Sequence, residues 1–336
     1  MMVAPDTPLT RRSMLAALAG SSVSLCLPRA FAAPAPSNKA QIAITLDLEM
    51  SRHYPERGMT EWDYQKGNLD QPTKDYSVEA ARIARDLGGI IHFFCVGRVL
   101  EQPNVDWLKE ISAGGHPIGN HTYDHVYLLA SSPVETQFRF QRAPWLVEGM
   151  STEQVLYENI KLTTIGLKDR CGIDVNGFRT PGGFRDALNG REDIQQMLLD
   201  LGFNWASCKY PAHKYGEPMQ EPSAEVYKDI VRAQTESQPF VYPTGLVEVP
   251  MSPISDVGAF RSTYWKLDYF LKAIRMAVEW AVETGGVFDF LCHPSCMVVE
   301  DPEFKTIKMI CEIVDQAGDR AEIVGLDKIA APFIEA

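Results

Sequence analysis

The chain of 336 residues is 45% hydrophobic and 23% charged, with a formal net charge of −12 at pH 7, a composition that excludes a disordered segment and predicts a packed core. The acidic balance argues against a nucleic-acid partner, because phosphate contacts need a basic surface, while a neutral or cationic glycan is compatible with it. α/β barrels run to roughly 250 residues as one unit, so the length is read as one domain preceded by a targeting element.

That element comes first. Arg11-Arg12 precedes an apolar run from Met14 to Leu27, and Ala30-Phe31-Ala32 offers a small-x-small cleavage site, a pattern similar to a twin-arginine export signal. The run is short against the roughly 20 residues a bilayer span requires. Residues 1–32 are therefore expected to be a cleaved signal that leaves no stable membrane span, and the mature protein to be periplasmic or extracellular. Residues 33–40 read as a linker and 41–336 as the folded domain. Six cysteines remain after cleavage, and a domain of this size needs no disulfides to fold.

From there, short apolar runs alternate with amphipathic stretches, the pattern of parallel β/α architecture. Strands are expected at 42–49, 90–96, 117–122, 177–181, 203–208, 246–251 and 287–293. The first helix reads as capped by Ser77 and stopped by Gly88-Gly89, with further helices at 105–113, 152–168, 191–201, 267–284 and 302–317. Segments 51–76 and 127–149 read as long irregular connections after strands, which in a parallel barrel rim the ligand-binding end.

Two places carry chemistry. In Gly119-Asn120-His121-Thr122-Tyr123-Asp124-His125, two imidazoles four residues apart can face one divalent cation, oriented by Asp124 or a backbone carbonyl. In the first strand, Ala43, Thr45, Asp47 and Glu49 share one face and Ile42, Ile44, Leu46 and Leu48 the other. Asp47 and Glu49 therefore emerge together at the strand end, where one carboxylate can bind a cation and the other take a proton from water.

With these residues in view, the chain resembles the polysaccharide deacetylases of carbohydrate esterase family four, the NodB homology domain. The resemblance runs in order through the Asp47 strand, His92 to Glu101, Gly114 to His125, Arg179-Thr180-Pro181-Gly182-Gly183 and Leu291-Cys292-His293. It implies a distorted (β/α)7 barrel holding one divalent metal ion, zinc by expectation, with cobalt, nickel or iron also suited to such ligands. It assigns His121, His125 and Glu49 as metal ligands, Asp47 as general base, Arg179 as the residue holding that base in its charged form, and His293 as general acid. The Gly182 N–H is the expected oxyanion donor. The implied substrate is an acetylated amino-sugar polymer such as peptidoglycan, a chitin-like glycan or an exopolysaccharide.

This sequence departs from the family pattern in two ways. Leu48 separates the carboxylates, giving a D-x-E arrangement similar to a variant branch with D-x-D, so which of Asp47 and Glu49 binds metal stays open. The aspartate expected to pair with the acid histidine falls near Ala206, where no carboxylate exists, leaving Ser207 as a candidate partner for His293. Two alternatives follow: an amidohydrolase of small or cyclic amides, resembling the allantoinase-like branch through 246–250 and His293-Pro294, or a catalytically silent glycan binder. His116 reads as structural, His92 and His213 as surface or half-buried, and His53 as a candidate substrate contact. Trp62, Tyr64, Trp145, Tyr210 and Trp265 are candidates to stack on sugar rings.

Overall fold

The computed structural model describes residues 39–56, 58 and 66–335. The expected signal at 1–32, linker residues 33–38, and Trp62 and Tyr64 lie outside the described residues.

Among the described residues, nine strands form one sheet: β1 (Ala40–Leu48), β2 (His92–Cys95), β3 (Ile118–Asn120), β4 (Phe178–Phe184), β5 (Trp205–Lys209), β6 (Phe240–Val241), β7 (Val247–Glu248), β8 (Val287–Cys292) and β9 (Ala321–Ile323). They run in the order β6-β7-β5-β4-β3-β2-β1-β8, with β9 paired to β1. Every pairing is parallel except β6 with β7. All seven expected strands form. The expected distorted barrel takes the form of a curled half-barrel sheet, to which β6 and β9 are added. Hydrogen bonds from side chains and backbone bridge the open seam. Gln234 and Gln238 amides donate to the Val287 carbonyl, Val287 N–H donates to Gln238, and Ser252 N–H donates to the Asp289 carbonyl.

Residues 41–42 of β1 pair with both β8 and β9, and residues 45–46 with both β8 and β2. One strand edge holds one partner at a time, so β9 and β2 share the edge opposite β8, β9 taking its first half and β2 its second.

Strand β1 begins at Ala40, two residues before its expected start. Helix α1 (Gln71–Asp86) starts before the expected cap: Asp70 accepts from Thr73 N–H at 2.9 Å, and Ser77 lies inside the helix, donating to the Thr73 carbonyl. The carboxylate wins because it stands before Pro72, whose missing N–H costs nothing in a first helical turn. Helices α2 (Asp106–Ala113), α3 (Phe138–Arg142), α4 (Thr152–Cys171), α5 (Glu192–Asp200), α6 (Ala224–Gln234), α7 (Leu267–Thr284), α8 (Pro294–Glu300), α9 (Lys305–Ala317) and α10 (Leu326–Ile334) follow. Segment 127–149 is less irregular than expected, containing α3 and short 3-10 turns.

The alternation read from β1 decides the layering. Ile42, Ile44, Leu46 and Leu48 join Phe288, Phe290 and Cys292 of β8 in the large core under the helices. Inside the curl, Ala43, Phe94, Trp205, Val247 and Val249 pack against Leu326, Ile329 and Ala330 of α10, which plugs the end where the strands begin. One layer up, the interior turns polar with Thr45, Arg179, Ser207 and Asp289, all buried. The candidate residues sit above that layer, at the strands' C-terminal end.

Candidate active site

Glu49 directly follows β1, and His121 and His125 occupy the tight loop after β3. Thr122 and His125 both adopt left-handed φ of 59°, sparsely populated for residues with side chains. The loop is braced by Thr122 N–H donating to Asn120 Oδ1 at 2.8 Å and Val126 N–H to Thr122 Oγ1 at 3.0 Å. His121 Nδ1 lies 2.9 Å from the Arg179 carbonyl, an acceptor that places the proton on Nδ1 and leaves a lone pair on Nε2. A backbone carbonyl thus orients this ligand candidate; Asp124 instead pairs with Arg139 at 2.7 Å.

Glu49, His121 and His125 each offer one ligand atom, all within 4.8 Å of one another. Glu49 Oε2 lies 2.6 Å from His125 Nε2 and 3.6 Å from His121 Nε2, yet is buried without a well-aligned hydrogen bond. Three lone-pair donors converging with no proton correctly placed among them fit a divalent cation. Burial pushes the Glu49 carboxyl up, but His125 and the Lys66 ammonium outweigh it and hold the group well below the usual carboxylate range. Burial drives His125 down to about 3 against the pull of Glu49, with Lys66 adding to the fall. Lys66, which pairs with Glu49 Oε1, carries no sequence motif and was missed in the sequence reading. It occupies Oε1, the oxygen turned away from His121 and His125, so it does not displace them from Oε2.

Asp47 stands beside this group. Its Oδ2 is 3.7 Å from His121 Nε2 and 4.0 Å from His293 Nε2, and its Oδ1 is 3.3 Å from Arg179 Nη1. Of the two carboxylates left open by the D-x-E spacing, Glu49 joins the histidines and Asp47 is held by the guanidinium. Arg179 is fully buried against the face of Phe94. It donates to Thr45 Oγ1 at 2.6 Å, to Ser207 Oγ at 3.1 Å, and to Asp289. Asp289 was also missed, although it shares the inward face of β8 with Leu291 and His293 by strand alternation. Burial, with Asp47 adding to it, raises the Asp289 carboxyl to about 6 against the pull of Arg179.

His293, just after β8, has Nδ1 2.9 Å from Asp256 Oδ1 and 3.1 Å from Oδ2, while its Nε2 lies 3.4 Å from Glu49 Oε1. The expected partner Ser207 is therefore corrected: its hydroxyl is taken by Arg179, and a carboxylate from the segment after β7 reaches His293 instead. Burial raises Asp256, but the His293 and Arg261 charges outweigh it and hold the carboxyl low.

Asp47, Glu49, Lys66, His121, His125 and His293 line a cavity of about 390 Å³ together with Thr180, Gly182, Gly183, Tyr210, Met251, Arg52 and Arg261, while Arg179, Asp256 and Asp289 stand behind its wall. Gly182, at φ 69°, has open space where a Cβ would stand. Of the aromatic candidates, Tyr210 lines the cavity, Trp265 is buried in the core and Trp145 is 68% exposed. His53 is not among the lining residues; its neighbour Arg52 is. His116 Nδ1 accepts from Ile91 N–H, the structural role expected. His92 is fully buried rather than superficial, bonding the Asn176 carbonyl and Leu326 N–H.

Residues 68–204 match the family model described as polysaccharide deacetylase. That stretch contains His121, His125, Arg179 and Gly182, while Asp47, Glu49, Asp256 and His293 lie outside it. A crystal structure named as a polysaccharide deacetylase from Mycobacterium smegmatis is similar at a TM-score of 0.60 with 16% identity, covering 89% of this chain and 92% of that one. Another so named, from Pseudomonas aeruginosa PAO1, is similar at 0.55 with 12% identity, covering 88% and 91%. No curated protein sequence matches. The likeness in fold is a mixed α/β domain with a half-barrel sheet.

Proposed function

We propose that this chain, which carries a polysaccharide deacetylase domain across residues 68–204, is a metal-dependent hydrolase that removes N-acetyl groups from an amino-sugar polysaccharide. One observation carries the reading. The three-donor group Glu49, His121 and His125 has an unligated carboxylate on one flank, Asp47 on Arg179, and an imidazole on the other, His293 on Asp256.

An acetamide is a poor electrophile with a poor leaving group, so the site must polarise the carbonyl, activate water and protonate the departing nitrogen. Glu49, His121 and His125 would hold a divalent cation, which would supply the Lewis acidity. Asp47 takes the proton of the attacking water, and Arg179 keeps that carboxylate charged and aimed. His293 hands a proton from Nε2 to the leaving amine while Asp256 stabilises its charged form. The Gly182 N–H, at the cavity wall, donates to the carbonyl oxygen as it gains charge.

Asp256 also weakens the silent-binder alternative, whose support was the missing carboxylate near Ala206. We further infer export by the twin-arginine route from residues 1–32; replacement of Arg11-Arg12 by Lys-Lys blocking secretion is the expected result. The principal test is acetate release by the zinc-replete protein across a panel of acetylated glycans, with chelator as control. Release that stops on chelation and returns with zinc is expected. No release from any member, or release indifferent to chelator, overturns the proposal.

A further inference from the structure

Lys66 lines the catalytic cavity with its side chain only 3% exposed and its ammonium paired to Glu49 Oε1. A lysine is almost never buried this far without a specific anionic partner. The pair is held from both sides by backbone. Met50 N–H donates to the Lys66 carbonyl at 3.0 Å, and the next residue, Gly67, passes so close to Arg98 that a side chain there would collide with it. On the other side, Ser295 Oγ donates to the Glu49 carbonyl at 2.9 Å. The two oxygens of Glu49 therefore have separate surroundings. Oε2 faces His125 Nε2 at 2.6 Å and His121 Nε2 at 3.6 Å, whereas Oε1 meets Lys66 and lies 3.4 Å from His293 Nε2.

Resting on the deacetylase reading, we propose that Lys66 is a positioning residue that restrains Glu49 to one coordinating oxygen and draws charge from it, weakening metal binding while making the bound cation a stronger electrophile. The ammonium leaves only Oε2 for a divalent cation. A carboxylate that turned both oxygens on the cation would fill a position that the substrate carbonyl or the attacking water needs. Two cations sharing one buried carboxylate also repel each other, and burial makes that repulsion felt. A cation less neutralised by its ligands polarises a carbonyl more strongly. This is the reverse of a partner that accepts from a ligating histidine, which raises the basicity of the ligand. Lys66 further occupies Oε1 against His293, so Nε2 of that ring is kept for the leaving nitrogen instead of for Glu49.

The test measures the zinc Kd, by competition with a chromophoric chelator, and kcat for acetate release from the β-1,4-linked tetrasaccharide of N-acetylglucosamine, in wild type, Lys66→Met and Lys66→Arg. Lys66→Met is expected to bind zinc on the order of tenfold more tightly while kcat falls on the order of tenfold. Loss of structure would weaken both, so the opposite signs separate positioning from damage. Lys66→Arg keeps the charge and should stay near wild type in zinc affinity. Zinc bound equally or less tightly by Lys66→Met, an undiminished kcat, or equal tightening in Lys66→Arg overturns the proposal. If Lys66→Met does not fold, Lys66→Gln is read by the same two measurements. If wild type releases no acetate from any glycan, the deacetylase reading fails instead. Zinc affinity alone then decides: tighter binding by the neutral variant supports the restraint, and equal, weaker or absent binding overturns it.

Discussion

Asp256→Asn isolates the proton delivered to the leaving group. The amide is isosteric and can still accept from His293 Nδ1, so the change removes charge while keeping shape. The carboxylate and imidazole approach to 2.9 Å, which puts their charge centres about 4 to 5 Å apart. At an effective dielectric near 20 the attraction between carboxylate and imidazolium is then about 4 kcal/mol. Roughly half should survive as hydrogen bonding and relaxation, leaving a loss of about 2 kcal/mol in the step that needs the charged imidazole, or on the order of 30-fold in kcat/KM for an N-acetyl substrate. An aryl acetate ester, whose phenolate departs without a proton, should lose less than about threefold. Zinc content and thermal midpoint should hold. Equal losses on amide and ester would refute the reasoning, since Asp256 would then be acting on something other than the acid.

Three further outcomes follow from the same geometry. His121→Ala should strip the metal, read as zinc per protein after gel filtration, with content near one equivalent in wild type. Asp47→Asn should retain metal yet lose acetate release by on the order of 10²- to 10⁴-fold; turnover close to wild type removes Asp47 as base. Arg179→Met leaves Asp47 and Asp289 buried without their shared cation, and breaking a buried pair this way costs about 3 to 5 kcal/mol, so its urea midpoint should fall steeply, whereas Lys109→Met, which breaks an exposed pair, should leave it nearly unchanged.

The layering was legible because strand alternation in β1 is unbroken, so a period of two fixed which side chains meet the helices and which meet the interior. Asp47 and Glu49 were legible for the same reason, and the histidines by their four-residue spacing just past the end of β3. β6 and β9 were not, being only two and three residues long with no motif around them, whereas the equally short β3 and β7 lie in runs the sequence already marks. Asp256 lies in a connection with no repeat, and its meeting with His293 is long-range. Lys66 sits in a segment whose course depends on Met50 N–H binding the Lys66 carbonyl. Asp289 had a signal, an acid inside an apolar strand on the inward face, but its value depends on Arg179 arriving from β4.

The plug formed by α10 has a bearing on the chemistry well above it. Leu326, Ile329 and Ala330 keep water from rising through the curl to the guanidinium and its two carboxylates, and the strength of those attractions depends on that dryness. The strand bearing Asp47 also leans on β9 for half of one edge. Trimming the chain after residue 320 would therefore wet the ionic layer and loosen its scaffold at once, and damage done far from the reacting atoms would surface as a misaimed base.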